Sequence, residues 1–236
     1  MGFNLNNCYS HPGKLLKVHL ENVASLSKRF TSSDAAELVS LFHDIGKVNP
    51  NFQQKLSGSC PKGYDHHAYL SAYAFLMFLI KNPDKFKVPH EFNSYNFLTS
   101  LITVVAKHHG DLPNMIPNDG NPILSGYEVS NLYAFLDKEH ISFGNVFSEL
   151  LGNEPSMPSS IEEDRIRLFF KRIVNKPNDY NVALRFYLEI QSIFSALVKA
   201  DKSDAGNMIS MLDENEQNLN SFSHIYPDTL QGYLDN

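Results

Sequence analysis

This sequence is short of sulfur, of long apolar runs and of dense basic stripes, and each shortage removes a class of protein. Its two cysteines, Cys8 and Cys60, form no C-x-x-C pair. They make neither a disulfide framework nor a zinc ribbon, and a reducing, intracellular compartment is expected. The longest apolar run, Leu70 to Ile80 with Ser71 inside it, falls short of the ~20 residues a membrane helix needs. No signal-peptide pattern opens the chain, so the expectation is a soluble cytoplasmic protein. No Lys/Arg stripe is dense enough to grip long nucleic acid alone. Strand alternation, internal repeats and heptad arrays are missing as well.

What remains is an ordinary globular balance. The 236 residues are 42% apolar and 19% charged, with a net charge of −6. That length suits one large domain or two small ones, with a core that needs no staple to fold. The charge is uneven: residues 1–110 carry 11 Lys/Arg against 7 Asp/Glu, and residues 111–236 carry 9 against 19. Such asymmetry marks either two solvated faces of different sign or an anionic partner on the N-terminal half.

Helical periodicity dominates, and the expected class is all-α. A first helix is expected from about Pro12 to Phe30, with Pro12 as a first-turn proline and Leu16, His19, Val23, Leu26 and Phe30 on one stripe. A second is expected from Ser33 to Lys47, ended by Asn49-Pro50, and a short one around Phe52 to Leu56. Further helices are expected over about 65–81, 95–109, 126–139, 143–151 and 161–174, and from about 179 to 200 or slightly beyond. Residues 57–64 and 110–122 read as loops, and 206–236 as a tail or connector, which leaves 1–205 as one domain.

His43-Asp44 sits in the middle of the second helix, inside Leu41-Phe42-His43-Asp44-Ile45-Gly46-Lys47. A buried carboxylate costs several kcal/mol without a partner, and a metal ion is the usual partner when histidine is its neighbour. Other helices supply more donors. His19 lies on the apolar stripe of the first helix, His67 heads the stripe of Leu70, Ala74 and Met77, and His108 ends the stripe of Leu98, Leu101 and Val105. Asp201 extends Tyr187, Ile190, Phe194 and Leu197. Singly, each histidine reads as a hydrogen-bonded core residue. Jointly, they point to a metal centre rich enough for two ions. Imidazole and carboxylate donors suit Mn, Fe, Co, Ni or Zn better than Mg. Two ions ~3.5–4 Å apart, bridged by a carboxylate such as Asp44, form a clamp for phosphoryl chemistry.

His19, His43-Asp44 and Asp201 follow the H…HD…D pattern, and the chain resembles the HD phosphohydrolase superfamily. Within it, His43-Asp44-Ile45-Gly46-Lys47 followed by Phe52-Gln53, then His67-Ala68-Tyr69-Leu70-Ser71-Ala72, His108-His109-Gly110 and Ala200-Asp201-Lys202 are similar to segments of the HD nucleases of type I CRISPR systems. The resemblance spans about residues 10–205. It implies an HD-domain helical bundle with a dinuclear metal site at its centre. One ion would take His19, His43, Asp44 and Asp201, and the other Asp44, His67, His108 and His109, with Asp44 bridging. Ser71 selects His67 over His66 by register. Transition metals (Mn, Fe, Co or Ni) would be the cofactors, ahead of Mg or Zn. The implied activity is endo- and exonucleolytic cleavage of single-stranded DNA in CRISPR interference. Its partners would be a superfamily 2 helicase subunit or domain and an RNA-guided surveillance complex. Two rivals stand beside it: a nucleotide phosphohydrolase, and a non-catalytic, metal-stabilised docking subunit.

Asp44 and Lys47 are the expected catalytic pair. Lys47 either meets a phosphate oxygen or is a lysine favoured by the helix dipole. Gly46 is expected to allow close helix packing, and Ser71 to orient a ligand from behind. His108 and His109 point ~100° apart on a regular helix, so both can ligate only if the helix ends there. His11, His90, His140 and His224 fall outside the pattern, though His11 stands at the start of the matching region. No G-x-x-x-x-G-K-[ST] loop appears, so the chain is expected to be a stand-alone nuclease subunit or an excised N-terminal domain.

Overall fold

The computed structural model describes residues 5–82, 87–112 and 179–206, together with Asn131, Val146, Glu149 and Leu150. The helices expected over 126–139, 143–151 and 161–174 lie outside the described residues except for those four positions, which are helical. The 206–236 tail beyond Gly206, His140 and His224 lie outside them too.

The described residues form six α-helices and one small hairpin. The hairpin corrects the expected start of the first helix. Strands β1 (Tyr9–His11) and β2 (Lys14–Leu15) pair antiparallel, with His11 opposite Lys14. Pro12-Gly13 makes the turn between them, and Gly13 has φ +80°. Proline followed by a left-handed glycine is the signature of a tight turn, and here it overrides the first-turn role of Pro12. Helix α1 therefore spans Leu16–Phe30. It buries Leu16, His19, Leu20, Val23, Ala24 and Leu26, and its last turn carries Lys28 and Arg29, which suit the negative end of the dipole.

The second helix is also shorter than expected. Helix α2 spans Asp34–Phe42, and a 3-10 turn follows over Ile45–Val48. Asp44, between them, has φ −117° and ψ 8°, outside the helical region. The physical reason lies in a neighbouring element, helix α4 (His67–Lys81). A Cβ placed on Gly46 would stand 2.1 Å from the carbonyl oxygen of His67. The Gly46 N–H donates to Ser71 Oγ at 2.8 Å, so the turn is fastened to α4 where α2 would otherwise continue.

Helix α3 (Pro50–Leu56) starts with proline at its first turn and is capped by Asn49, whose side chain accepts from Asn51 N at 2.9 Å. Gln53 on α3 clips two backbone segments together. Its amide accepts from Tyr9 N at 3.0 Å and donates to Tyr9 O at 2.9 Å and Lys47 O at 2.6 Å. The hairpin is thereby held against the 3-10 turn.

Helix α5 covers Ser94–Lys107, and the long helix α6 covers Tyr180–Ala205. Asn93 and Asp179 cap them, each accepting from a first-turn backbone N–H. Helix α2 is central: it touches α1, α4, α5 and α6. Its Phe42 is fully buried against the rings of Phe75 and Phe78 at 5.1 and 4.9 Å. Burying each such ring contributes about 1.5–3 kcal/mol. Between α1 and α2 lies a buried Ser27–Ser40 hydroxyl hydrogen bond of 2.6 Å. Among the described residues, no helix is long and apolar enough to cross a membrane.

Candidate metal centre

The helix ends converge on Asp44. His43 is the residue that closes α2, and His108 the one that closes α5. The two are built alike. Each donates Nδ1–H to the carbonyl three residues earlier, His43 to Ser40 O and His108 to Val105 O, both at 2.7 Å. A last-turn carbonyl that the helix leaves without a partner is satisfied, and the ring is locked with Nε2 facing inward. His67 stands at the first position of α4, His19 on the buried face of α1, and Asp201 near the end of α6. Helix α5 stops at Lys107, and Gly110 N bonds back to Lys107 O at 2.8 Å. That end frees His109 to turn toward His67, and the two Nε2 atoms are 2.8 Å apart.

All seven residues expected as ligands come together, in two groups that share Asp44. Asp44 Oδ2 faces His19 Nε2 at 3.2 Å and His43 Nε2 at 3.4 Å. Asp201 Oδ1 completes this group, 3.3 Å from His19 and 3.6 Å from His43. The other carboxylate oxygen, Oδ1, faces His67 Nε2 at 3.3 Å and His108 Nε2 at 3.4 Å. Within each group the donor atoms lie within 4.8 Å of one another.

The residues fit divalent ions. Bonds of about 2.0–2.2 Å put neighbouring donors about 3–3.5 Å apart around one ion, which matches the separations within both groups. The Nε2 atoms of His19, His43 and His108 are buried and make no hydrogen bond. Three imidazole nitrogens turned inward without a hydrogen-bond partner are costly unless a cation takes them.

The electrostatics differ across the centre. Burial opposes charge on His19, but the carboxylates of Asp201, Asp204 and Asp44 around its ring outweigh it and raise its pKa to about 10. Burial likewise opposes His43, and Asp44 with Asp201 raises it to about 9. Against their own burial, the surrounding histidines and Lys47 hold Asp44 well below the carboxylate range, and the histidines alone do the same for Asp201. On the other side, burial lowers His67, and burial with nearby His108 lowers His109 to about 4.

Lys47 is buried, 4% exposed, with Nζ 2.5 Å from Asp44 Oδ2 and 5.6 Å from the Phe52 ring centre. Phe52 also packs edge-on against His67, with ring centres 4.9 Å apart. Ser71 bonds to the Gly46 backbone and so acts on the turn that carries Asp44. His11 packs edge-on against His19 at 5.3 Å, and its pKa is lowered by burial and by Lys47. His66 stays outside both groups, as does His90, whose side chain is fully exposed.

Sequence reasoning missed Asp204. It is fully buried, and its Oδ2 lies 2.5 Å from His19 Nδ1. The available signal was its place one helical turn after Asp201, on the same face of α6.

A mostly helical domain with two histidine–aspartate groups sharing one carboxylate has the makings of an HD-type metal-dependent hydrolase. The family model described as "Cas3, HD domain" matches residues 12–150, and the chain belongs to that family, the HD domains of the type I CRISPR kind. It is accordingly an HD-type, metal-dependent nuclease or phosphohydrolase, associated with a CRISPR system and a nucleic-acid substrate. No curated protein matches this chain in sequence.

Proposed function

We propose that this chain is a metal-dependent deoxyribonuclease that cleaves single-stranded DNA, by endo- and exonucleolytic cutting, in type I CRISPR interference. Two transition-metal ions would be held, one by His19, His43, Asp44 and Asp201, the other by Asp44, His67, His108 and His109. The observation that carries the reading is the set of buried Nε2 atoms without hydrogen bonds, turned toward the two oxygens of one carboxylate. When bound, such ions activate water and neutralise charge on a phosphodiester.

The chain's own residues do the rest. Asp44 holds the two groups in register, and the Ser40 and Val105 carbonyls keep His43 and His108 aimed. Lys47 brings a positive charge beside Asp44, where it would meet an anionic phosphate oxygen and stabilise charge that develops there. No side-chain nucleophile is required. The net charge of −6 supports a weak intrinsic grip on DNA. A superfamily 2 helicase and an RNA-guided surveillance complex would then deliver the strand, and guide pairing would select the sequence. The protein would work in the cytoplasm.

The test is to strip the purified protein with chelator and supply Mn, Fe, Co, Ni or Mg. Labelled single-stranded DNA, duplex DNA and a nucleotide panel are the substrates. Metal-dependent cutting of single-stranded DNA, lost in a folded Asp44→Ala protein, is expected. Turnover of nucleotides with DNA left intact would replace this reading with a nucleotide phosphohydrolase. No turnover of either would leave a docking subunit.

A further inference from the structure

The three histidines whose Nε2 atoms face Asp44 from full burial are not held alike. His43 and His108 rest on neutral backbone carbonyls from their own helices. His19 rests on a carboxylate 185 residues away, Asp204, with its Nδ1 at 2.5 Å from Oδ2. Asp204 is 0% exposed, and nothing in the proposed reaction uses it. Its remaining valences are also taken. Lys14 Nζ lies 2.6 Å from Oδ2, and Asn22 Nδ2 donates to Oδ1 at 2.9 Å. Lys14 Nζ donates as well to the Asp204 backbone carbonyl at 2.8 Å, which ties hairpin, α1 and α6 at one point.

We propose that Asp204 is a positioning residue for His19: it accepts the Nδ1 proton, fixes the ring with its Nε2 lone pair toward Asp44 and Asp201, and strengthens His19 as a metal ligand. This rests on the reading of His19 as a ligand given above. The physics is that of a carboxylate behind a ligating imidazole. The acceptor chooses the tautomer, and its negative charge makes the far nitrogen a better donor. A carboxylate does this more strongly than a carbonyl, since hydrogen bonds to ionised acceptors are about twice as strong as neutral ones. Asn22, bonded to the other oxygen, holds the carboxylate in that orientation.

A merely structural role makes a competing prediction, because Asp204 also ties the hairpin to α6 through Lys14. Two variants separate the roles. Asp204→Asn removes the charge while keeping the shape, and Lys14→Met cuts the hairpin tie while leaving the carboxylate. Cobalt(II) affinity is measured on the purified full chain by competition with a chelating dye, without substrate. His19→Gln assigns the binding step that depends on His19, and circular dichroism checks folding. Asp204→Asn is expected to weaken the His19 step about 10- to 100-fold. Lys14→Met should leave that step unchanged. An unchanged His19 step in folded Asp204→Asn would overturn the proposal, as would equal weakening in both variants. If His19→Gln alters no step, His19 is not a ligand, and the underlying reading fails with it.

Should Asp204→Asn not fold, the zinc-loaded wild type decides. A long-range proton–nitrogen spectrum should show the His19 ring protonated at Nδ1. A ring protonated at Nε2 would show that His19 is no ligand, and a His19 Nδ1 proton no further downfield than those of His43 and His108 would overturn the proposal.

Discussion

The two halves of the centre share Asp44 and differ in almost everything else. The His19 side is buried, has two histidines and two carboxylates facing one another, and adds Asp204 behind. The His67 side has three histidines and only the shared carboxylate, and it opens to solvent through His67 and His109. Without metal, carboxylates hold protons on His19 and His43, while burial and like charge keep His67 and His109 neutral. One side is thus a carboxylate-rich, interior anchor. The other is a histidine-rich, more accessible rim. A single carboxylate can serve both because its two oxygens point to different groups.

Asp44→Ala tests the shared point and should have the largest effect. Both binding steps for cobalt(II) should disappear in a titration, and DNA cleavage should fall to background with folding intact by circular dichroism. Retention of either step would break the idea of a common carboxylate. Next come His43→Ala and His109→Ala, which should each remove one step and spare the other. They should part company in stability. His43→Ala leaves the buried Ser40 carbonyl without its donor, at a cost of about 1–3 kcal/mol, while exposed His109 costs little. Thermal melts of the two metal-free variants check this.

Acidity sharpens the comparison. Ions must displace the protons on His19 and His43, so affinity at that side should rise by up to about tenfold per pH unit for each proton displaced. The rise should run from neutral pH to about pH 9–10, where His43 and His19 lose their protons. His67 and His109, already neutral, should add no such rise over the same window, and parallel titrations at several pH values test both. Metal-free stability should move the opposite way. These two histidines hold protons more tightly folded than unfolded, so their contribution is full below pH 6.5 and is lost as pH rises toward 9–10. The melting temperature of chelator-treated protein should therefore fall across that range.

The smallest expected effect is steric. Gly46→Ala drives a Cβ into the His67 carbonyl and should cost about 1–3 kcal/mol. Because the collision is with α4, cobalt binding on the His67 side should suffer more than on the His19 side. Equal loss on both sides would show that the turn carries the whole centre as one rigid piece.

Much of this was legible in the chain. Helices α3 to α6 fall where periodicity, Asn49-Pro50 and Gly110 put them, because those signals are local. His19, His67, His108 and Asp201 could be named because each sits on or at the end of an apolar stripe, and His43-Asp44 because it puts a charge inside a buried helix, whereas His109 came only from the resemblance of His108-His109-Gly110. The hairpin was not legible, since Pro12 fits a helix start as well as a turn, and only Gly13 with its positive φ decides. Nor was the break after Phe42. Residues 33–47 have continuous helical patterning, and the 3-10 turn exists because Ser71 and the His67 carbonyl, on another helix, leave room only for Gly46.

By itself, then, the sequence determined which residue types meet and on which helices, because helix periodicity and the cost of burying charge are written in neighbouring positions. Tertiary structure decided how they meet. Which oxygen of Asp44 faces which group, that His109 can join His67, and that Asp204 stands behind His19 all depend on contacts between distant segments. Nothing in local spacing encodes them.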